Sequence, residues 1–425
     1  MEVRPGYKQT ELGVIPEDWA VEDIAACAES ASGTTPARAA AERYFHDGTI
    51  PWVKTLDLNN SVIKETDECV TETALRETSL KLYPAGSVLV AMYGGFAQIG
   101  RTGYLPFPAT INQALTAICP EGRKLDSKYL IYFLNYHVGY WKSVASSSRK
   151  DPNITGNDVR KFPISLPPIK EQRAIATALS DMDALLDSLT RLIAKKRDLK
   201  QATMQQLLTG QTRLPGFSGG WEVKRLGDHL TFLKNGVNSR AELTAAGKVK
   251  YLHYGDIHGA TGLLLKPGVT LMPHLPVGKA GQLDRLSDGD LVFADASEDL
   301  DGVGKSVELK NVGQFEVVSG LHTIAVRFDK QVLADGFKAY LQFIPVFRQH
   351  LRRLVAGTKV YATNRAHIAS AEMALPDVHE QTAIAAVLAD MDAELAVLDA
   401  RLTKTRALKQ AMMSELLTGK TRLPT

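Results

Sequence analysis

The sequence predicts an α+β protein in which two mixed α/β globular modules are joined by two long helices that form an antiparallel coiled coil. Three observations support this fold class: a long segment that occurs twice, a seven-residue apolar period within it, and shorter matches elsewhere. The long segment spans residues 166–215 and again 375–424, at a constant offset of 209, and roughly 29 of 50 aligned residues are identical. The chain is therefore expected to be an internal repeat with pseudo-two-fold symmetry.

The pattern of each copy of the long segment predicts one continuous helix. Its apolar residues recur in alternating steps of four and three, which is typical of a coiled-coil seam. The seam residues are Ile175, Leu179, Met182, Leu186, Leu189 and Ile193 in the first copy and Ile384, Leu388, Met391, Leu395, Leu398 and Leu402 in the second. Such a seam requires a partner helix, and the other copy is available.

The charge pattern indicates how the two helices pair. Each helix is acidic in its front half (181–187 and 390–399) and basic in its back half (191–200 and 401–409). An antiparallel pair sets acidic halves against basic ones, although the same gradient also complements the helix dipole. Gly210 and Gly419 are expected to end the helices, and Asp377 with Glu380 predicts a capping box at the second start.

Composition sets broad limits. A chain of 425 residues with 44% hydrophobic content is long enough for two or three domains, and its net charge is only +3. It shows neither a secretory signal nor an apolar run of transmembrane length, so we expect a soluble, cytoplasmic protein. Cys27, Cys69 and Cys119 lie far apart and are expected to be buried free thiols.

The repeat extends through the whole chain, which gives the domain boundaries. We expect a tail (1–24), a first module (25–165), a central helix with its linker (166–220), a second module (221–374) and a C-terminal helix (375–425). Predicted strands are 50–54, 88–91, 114–118, 249–252, 290–293 and 323–328, and each module has one predicted helix, 126–141 and 335–354. The N-terminal QTEL segment (9–12) corresponds in the repeat to residues 211–214, which follow the first long helix, and the C-terminal TRLP segment follows the second long helix. The two chain ends are therefore expected to lie close together.

A polar loop follows the predicted helix of each module. The loops are 146–153 and 357–365, and they differ in sequence although the surrounding pattern is the same. A shared backbone framework with different contact residues is expected for two modules that recognise two different short sequences.

The chain resembles the specificity subunit of Type I restriction-modification systems. The resemblance is carried by TELGVIPEDWAV (10–21), SGTTP (32–36), the two LPxxxEQ helix starts and the two LLTGxTRL helix ends. It implies a non-catalytic DNA-binding subunit with two target recognition domains, each reading one half of a split site, and a helix pair that acts as a ruler. It also implies two methyltransferase (modification) subunits and two restriction subunits as partners in DNA methylation and phage defence. No cofactor is expected in this chain, whereas S-adenosylmethionine, ATP and Mg²⁺ are expected on the partners.

Residues in the polar loops and near the start of each module are candidates for contact with double-stranded DNA. Lys, Ser and Thr suit phosphates, whereas Arg pairs with guanine and Asn with adenine. The candidates are Thr34, Thr35, Arg38, Arg149, Lys150, Asn153, Arg240, Thr358, Lys359, Tyr361, Asn364 and Arg365. For any one of them, a solvated loop is the ordinary alternative.

The length of the helices agrees with a ruler. A helix of about 38 residues spans roughly 57 Å at 1.5 Å per residue. Half-sites read from one face of B-DNA lie about 34 Å apart, so such a rod can hold two modules over successive grooves.

Catalytic functions find little support in the sequence. It has no phosphate-binding GxxxxGK[ST] motif and no NPPY-like loop, and Gly94-Gly95-Phe96 is only a turn signal. His253 and His258 lack a second pair at ligand spacing, so a surface or DNA-facing position is expected. A coiled-coil scaffold that binds only protein, without DNA specificity, remains the alternative.

Overall fold

A computed structural model describes residues 4–145, 153–355 and 360–424. The chain divides into two compact units. The first contains the residues up to Thr190 together with those from Ala400 onwards, and the second contains Arg191–Asp399. Both long helices contribute a segment to each unit.

The first unit contains twelve described strands and all or part of the first six helices. The strands are β1 Tyr7–Thr10, β2 Gly13–Pro16, β3 Ala20–Asp23, β4 Ala28–Ser32, β5 Ile50–Val53, β6 Ser61–Val62, β7 Glu68–Val70, β8 Val88–Ala91, β9 Thr102–Tyr104, β10 Thr110–Ile111, β11 Leu115–Pro120 and β12 Pro163–Leu166. The helices are α1 Ala41–Tyr44, α2 Glu72–Glu77, α3 Ser127–Tyr136, α4 Gly139–Val144, α5 Gly156–Arg160 and the long α6 Ile169–Leu208.

The second unit repeats this arrangement. Its strands are β13 Glu222–Arg225, β14 Leu230–Phe232, β15 Val249–Leu252, β16 Leu264–Leu265, β17 His274–Leu275, β18 Leu291–Ala294, β19 Ala296–Ser297, β20 Ser306–Leu309, β21 Glu316–Ser319, β22 Thr323–Phe328, β23 Tyr361–Ala362 and β24 Glu372–Leu375. Its helices are α7 Tyr254–His258, α8 Val277–Ala280, α9 Pro345–Leu354, α10 Arg365–Ala369 and the long α11 Val378–Leu416.

The two modules have the same sheet topology. A five-stranded sheet has the order β4-β11-β8-β9-β6 in the first and β14-β22-β18-β20-β16 in the second. A three-stranded sheet accompanies each, β10-β5-β7 and β21-β15-β17, with one parallel and one antiparallel neighbour for the central strand. All six predicted strands are confirmed within two residues at either end. The predicted α+β class and the internal repeat are therefore both correct.

The predicted helices 126–141 and 335–354 are wrong in extent. Asp126 caps the first as expected, with its carboxylate accepting from the amides of Lys128 and Tyr129, but α3 ends at Tyr136 and α4 begins at Gly139. In the second module a three-ten helix, Lys338–Phe343, precedes α9. Pro345 separates them because it has no amide hydrogen and its ring excludes a helical carbonyl four residues earlier.

The long helices run antiparallel, as the charge pattern predicts. In the first unit, Lys409 pairs with Asp183 at 2.5 Å. In the second, Lys200 pairs with Asp392 and Lys196 lies 2.8 Å from Glu394, so residue numbers rise along one helix as they fall along the other. The pairs Lys409–Asp183 and Lys200–Asp392 are equivalent positions of the repeat.

The seam residues are not equally buried. Ile175, Leu179, Leu189, Ile193, Ile384 and Leu388 are buried, whereas Met182, Leu186, Met391, Leu395, Leu398 and Leu402 are half-buried. Leu179 belongs to the hydrophobic core of the first module, and Leu388 belongs to that of the second. The front of each helix is therefore anchored to a globular core as well as to its partner helix.

The repeated motifs at the helix ends form one buried ion pair in each unit. Glu171 of LPxxxEQ is 1% exposed and accepts from Arg422 of the C-terminal TRLP, at 2.5 and 2.7 Å. Glu380 and Arg213 form the equivalent pair in the second unit. Each motif thus connects the start of one long helix to the segment after the other.

The glutamine of each LPxxxEQ motif bridges the helix to its module. Gln172 accepts from the amide of Asp126 at 2.9 Å and donates to two backbone carbonyls, and Gln381 does the same with the amide of Ala334. Asp377 accepts from the amide of Glu380 at 3.1 Å, which confirms the cap. The reciprocal half of the predicted capping box is wrong, because the Glu380 carboxylate binds Arg213 instead.

The two chain ends lie in contact, as expected. The Tyr7 hydroxyl donates to the Gly419 carbonyl oxygen at 2.9 Å, and Arg422 also pairs with Asp18. Gly419 has a φ of +67° and Gly210 has a φ of +69°, which confirms that a left-handed glycine ends each long helix.

Two expectations from composition have structural counterparts. The three cysteines are free thiols, but only Cys27 is buried, whereas Cys69 and Cys119 are half-buried. No helix among the described residues is both long and apolar enough to cross a membrane.

Candidate nucleic-acid interface

One edge of each five-stranded sheet gathers the loops that carry most of the predicted contact residues. The strands β4 and β8 end at this edge, and β11 and β9 begin there, because neighbouring strands in this part of the sheet are antiparallel. The equivalent strands of the second module are β14, β18, β22 and β20. The connecting segments of each module are therefore side by side.

The described residues at the end of each predicted polar loop bind this edge in the same way in both modules. The amide of Ile154 donates to the Met92 carbonyl at 3.1 Å, and the amide of Thr363 donates to the Asp295 carbonyl at 2.7 Å. We name the resulting surface the loop edge. It comprises 33–38, 92–101, 111–114 and 153–155 in the first module and 233–240, 295–305, 319–322 and 360–365 in the second.

The threonine candidates of the first module lie on the loop edge. The backbone amide of Thr34 donates to the Ile111 carbonyl at 3.0 Å, and its hydroxyl is 3.2 Å from that of Ser79. The Thr35 hydroxyl donates to the Gln113 side chain. Asn153 is half-buried beside Ile154. Thr34 is therefore held by a backbone hydrogen bond, and the hydroxyls of both threonines contact neighbouring side chains.

Arg38 is engaged within its own module. Its guanidinium donates to both carboxylate oxygens of Glu68, at 3.1 and 2.6 Å, and lies 4.2 Å above the Phe45 ring. The hydrogen bonds from Arg38 lower the pKa of Glu68. The guanidinium also lies 5.1 Å from the Trp52 ring, and the Arg38 side chain as a whole is half exposed.

The described candidates of the second module also make local contacts. Arg240 pairs with Asp256 at 2.7 Å, and the Asn364 side chain caps α10 by accepting from the amide of His367. Arg365 donates to the Leu233 carbonyl at 2.9 Å. Tyr361 lies in β23, opposite Ser297 of β19. The remaining candidates, Arg149, Lys150, Thr358 and Lys359, lie outside the described residues.

Sequence reasoning missed the longest connection on each loop edge. The first is 92–101, where Tyr93 and Phe96 are 41% and 52% exposed around a turn with Gly94 and Gly95 in the left-handed region. Its equivalent, 295–305, carries acidic residues instead. Equivalent strands flank both connections, and this match was the signal in the sequence that could have revealed them. Where equivalent strands are joined by unrelated residues, the connection can make different contacts in each module.

The histidines of the second module have different roles. His253 is buried and caps α7 by accepting from the amide of Gly255, and burial lowers its pKa. The expected surface position is therefore wrong for His253. His258 lies in a cavity of about 870 Å³ at the loop edge, together with Tyr254 and His322. In the described ranges, no group of three or more His, Cys, Asp and Glu side chains is arranged to hold a metal ion.

Comparison with known proteins agrees with this architecture. Residues 16–196 match the family model described as the Type I restriction modification DNA specificity domain. The chain is 31% identical over 241 residues to the Type I restriction enzyme MjaIX specificity subunit of Methanocaldococcus jannaschii, an alignment that covers 53% of the chain and 54% of that protein. It spans about half the length of that relative.

Two further relatives align over nearly the whole chain. The MjaVIII specificity subunit of the same organism is 24% identical over 426 residues, which cover 96% of this chain and 94% of that protein. A crystal structure of a Type I restriction-modification S subunit from M. genitalium has the same fold, with a TM-score of 0.56, 14% identity and 98% of each chain covered. Taken together with the duplicated motifs, these matches make the chain similar over nearly its whole length to Type I restriction-modification specificity subunits.

Proposed function

We propose that this chain is the DNA sequence-recognition subunit of a Type I restriction-modification complex. Each of two target recognition domains, 25–165 and 221–374, reads one half of a bipartite, asymmetric site in double-stranded DNA through its loop edge. The chain itself carries out no chemistry in this proposal, because methyl transfer and cleavage belong to the partner subunits.

The observation that carries the proposal is a pair of loop edges with the same frame and different contact residues. The anchoring hydrogen bonds of Ile154 and Thr363 are equivalent, and the strands that flank them are equivalent too. By contrast, the exposed side chains of 92–101 include two aromatic rings, whereas those of 295–305 include three carboxylates and Leu300. A protein that reads two different short sequences needs this combination, whereas a scaffold that binds two identical partners does not.

The long helices supply the second part of the proposal. We infer that α6 and α11 fix the unspecified spacer between the half-sites and dock two methyltransferase subunits, to which two restriction subunits are added. The buried Glu171–Arg422 and Glu380–Arg213 pairs support a fixed helix pair, since each closes one unit. S-adenosylmethionine, ATP and Mg²⁺ would then be bound by the partners.

Methylation mapping of the host genome tests this function directly. Deletion of the gene for this chain should abolish methylation at one split, asymmetric motif and leave all other methylated motifs unchanged. In parallel, the purified chain with its methyltransferase partners should be retained on duplex DNA, and retention should fall steeply as salt rises. If every assembly fails to bind duplex DNA at low salt, the protein-only scaffold is the correct function.

A further inference from the structure

Two arginines of α9 meet one exposed carboxylate on the loop edge of the second module. Arg348 and Arg352 lie one helical turn apart, and both guanidinium groups form ion pairs with Asp301. Arg348 Nη2 is 3.2 Å from Asp301 Oδ1, and Arg352 donates to the same oxygen. One negative charge therefore faces two positive charges, which leaves the cluster with a net charge of about +1.

Both sides of this cluster are held in place. The turn that carries Asp301 is fixed because Asp299 accepts from the amide of Gly302 at 2.6 Å. The turn packs closely against β19, since a Cβ atom at Gly302 would lie 2.3 Å from Ser297 Oγ. On the other side, Phe347 and Leu351 of α9 are buried, so the helix is anchored while the side chains of Arg348 and Arg352 remain 36% and 41% exposed.

The carboxylate is the weaker member of the cluster. The Asp301 side chain is 82% exposed, and ion pairs in such a position contribute little net stability. Its two arginine partners share one oxygen atom. A phosphodiester carries the same single charge on two non-bridging oxygens, but it is not tied to the turn that carries Asp301, so each of its oxygens can accept from one guanidinium group.

We propose that Arg348 and Arg352 form a binding site for one backbone phosphate of the bound duplex, and that Asp301 occupies this site until DNA replaces it. The inference rests on the proposed function and adds a regulated phosphate contact to it. Because a phosphate contact carries no sequence information, Asp301 lowers the affinity for every DNA sequence alike. It thereby weakens non-specific binding, which depends almost entirely on phosphate contacts, by the same factor as specific binding.

Among its described residues, the first module has no equivalent of this cluster. Its matching connection, 92–101, contains no acidic residue, and Arg101 donates there to the uncharged side chain of Gln98 at 2.8 Å. Within the described residues, the phosphate site is therefore assigned to the second module.

The test compares two loop variants in the full-length chain. Binding of a labelled random-sequence duplex and of a duplex carrying the mapped site is measured over a range of salt concentrations. Asp301→Asn should raise the affinity for both duplexes by about two- to fivefold, the range expected when an exposed ion pair no longer competes. Glu298→Gln is the matched control, because it removes the same charge from the same loop but Glu298 pairs with neither arginine. Its gain should be clearly smaller.

A second variant protects the test against misfolding of the loop. Arg348→Gln combined with Arg352→Gln should weaken binding of both duplexes and reduce the slope of log affinity against log salt by about one. Equal gains from Asp301→Asn and Glu298→Gln, or an unchanged slope in the arginine variant, would overturn the phosphate site. A lower melting temperature of Asp301→Asn without any gain in affinity would make Asp301 a structural clamp. Failure of the unmodified chain to bind either duplex would instead refute the proposed function.

Discussion

At the scale of single residues, the two buried glutamates that begin the long helices depend strongly on their ion-pair partners. Glu171 and Glu380 are at most 1% exposed, and each is neutralised by the arginine of a TRL segment far away in sequence. A buried charge that loses its partner is strongly destabilising. These pairs therefore explain why the repeat keeps both motifs together.

Arg422→Ala is expected to lower the free energy of unfolding by about 3 kcal/mol, the low end for breaking a buried pair, because water reaches one side of the guanidinium. Arg213→Ala, its repeat equivalent, is the matched variant and should also lower the free energy of unfolding, because it leaves the buried Glu380 without its ion-pair partner. Denaturant titration measures both. A loss below about 1 kcal/mol in each would show that Glu171 and Glu380 are solvated.

Glu308 predicts a pH dependence of the second module. Burial raises its pKa to about 7 from the ordinary 4.5, against the lowering effect of hydrogen bonds from the amides of Gly336 and Ala339. The folded state therefore holds a proton that the unfolded state releases, and this contribution, on the order of 3 kcal/mol, is lost as pH rises from 4.5 to 7.

Thermal unfolding at a series of pH values tests this contribution. Glu308→Gln should flatten the decline between pH 4.5 and pH 7, whereas the exposed Glu372→Gln should preserve it. A decline that persists unchanged in Glu308→Gln would assign the pH dependence to another group.

At the scale of elements, the sequence predicted what repeats locally and missed what depends on tertiary contact. The strands and both long helices could be placed from apolar periodicity and turn residues. The helix breaks at Gly139 and Pro345 were overlooked within strong apolar patterns, although proline is a clear signal. The ion-pair partner of the Glu380 carboxylate could not be predicted, because Arg213 lies 167 residues away and only the fold brings the two side chains together.

The helix seam should show graded effects on stability. Leu179→Ala or Leu388→Ala removes a fully buried side chain and should cost about 2–5 kcal/mol. Leu186→Ala and Leu395→Ala change half-buried positions, so each should cost clearly less. The order is measured by denaturant unfolding and by assembly with the methyltransferase subunits. Equal losses at all four positions would mean that the partner helix, not the module cores, holds the seam.

The helix pair is also proposed to set the spacer. Seven residues inserted after Arg191 and seven after Ala400, midway between the equivalent ion pairs of the two helices, keep the heptad register. The insertion adds about 10.5 Å, or roughly three base pairs with a turn of about 100°. Methylation mapping should show either a longer spacer or lost binding, with the same bases read. Full activity at the original spacing would refute the ruler.

At the scale of the whole molecule, the family and the two-module plan were accessible from the sequence because duplication leaves a pattern that one chain can reveal. The loop edge was accessible only in part. The segments around Thr34 and Asn364 were predicted, but Arg38, Arg240 and Arg365 were not expected to be engaged by Glu68, Asp256 and the Leu233 carbonyl. Such pairings follow from tertiary neighbours, which no local pattern specifies.

The central claim is that each module reads its own half of the site, and a module exchange tests it most directly. Residues 25–165 are replaced by the equivalent segment of another specificity subunit, and genome methylation is mapped with the same partner subunits. The account predicts a new motif in which one half is changed and the half read by 221–374 is retained. Altered bases in both halves would contradict it, because the two modules would then read DNA jointly.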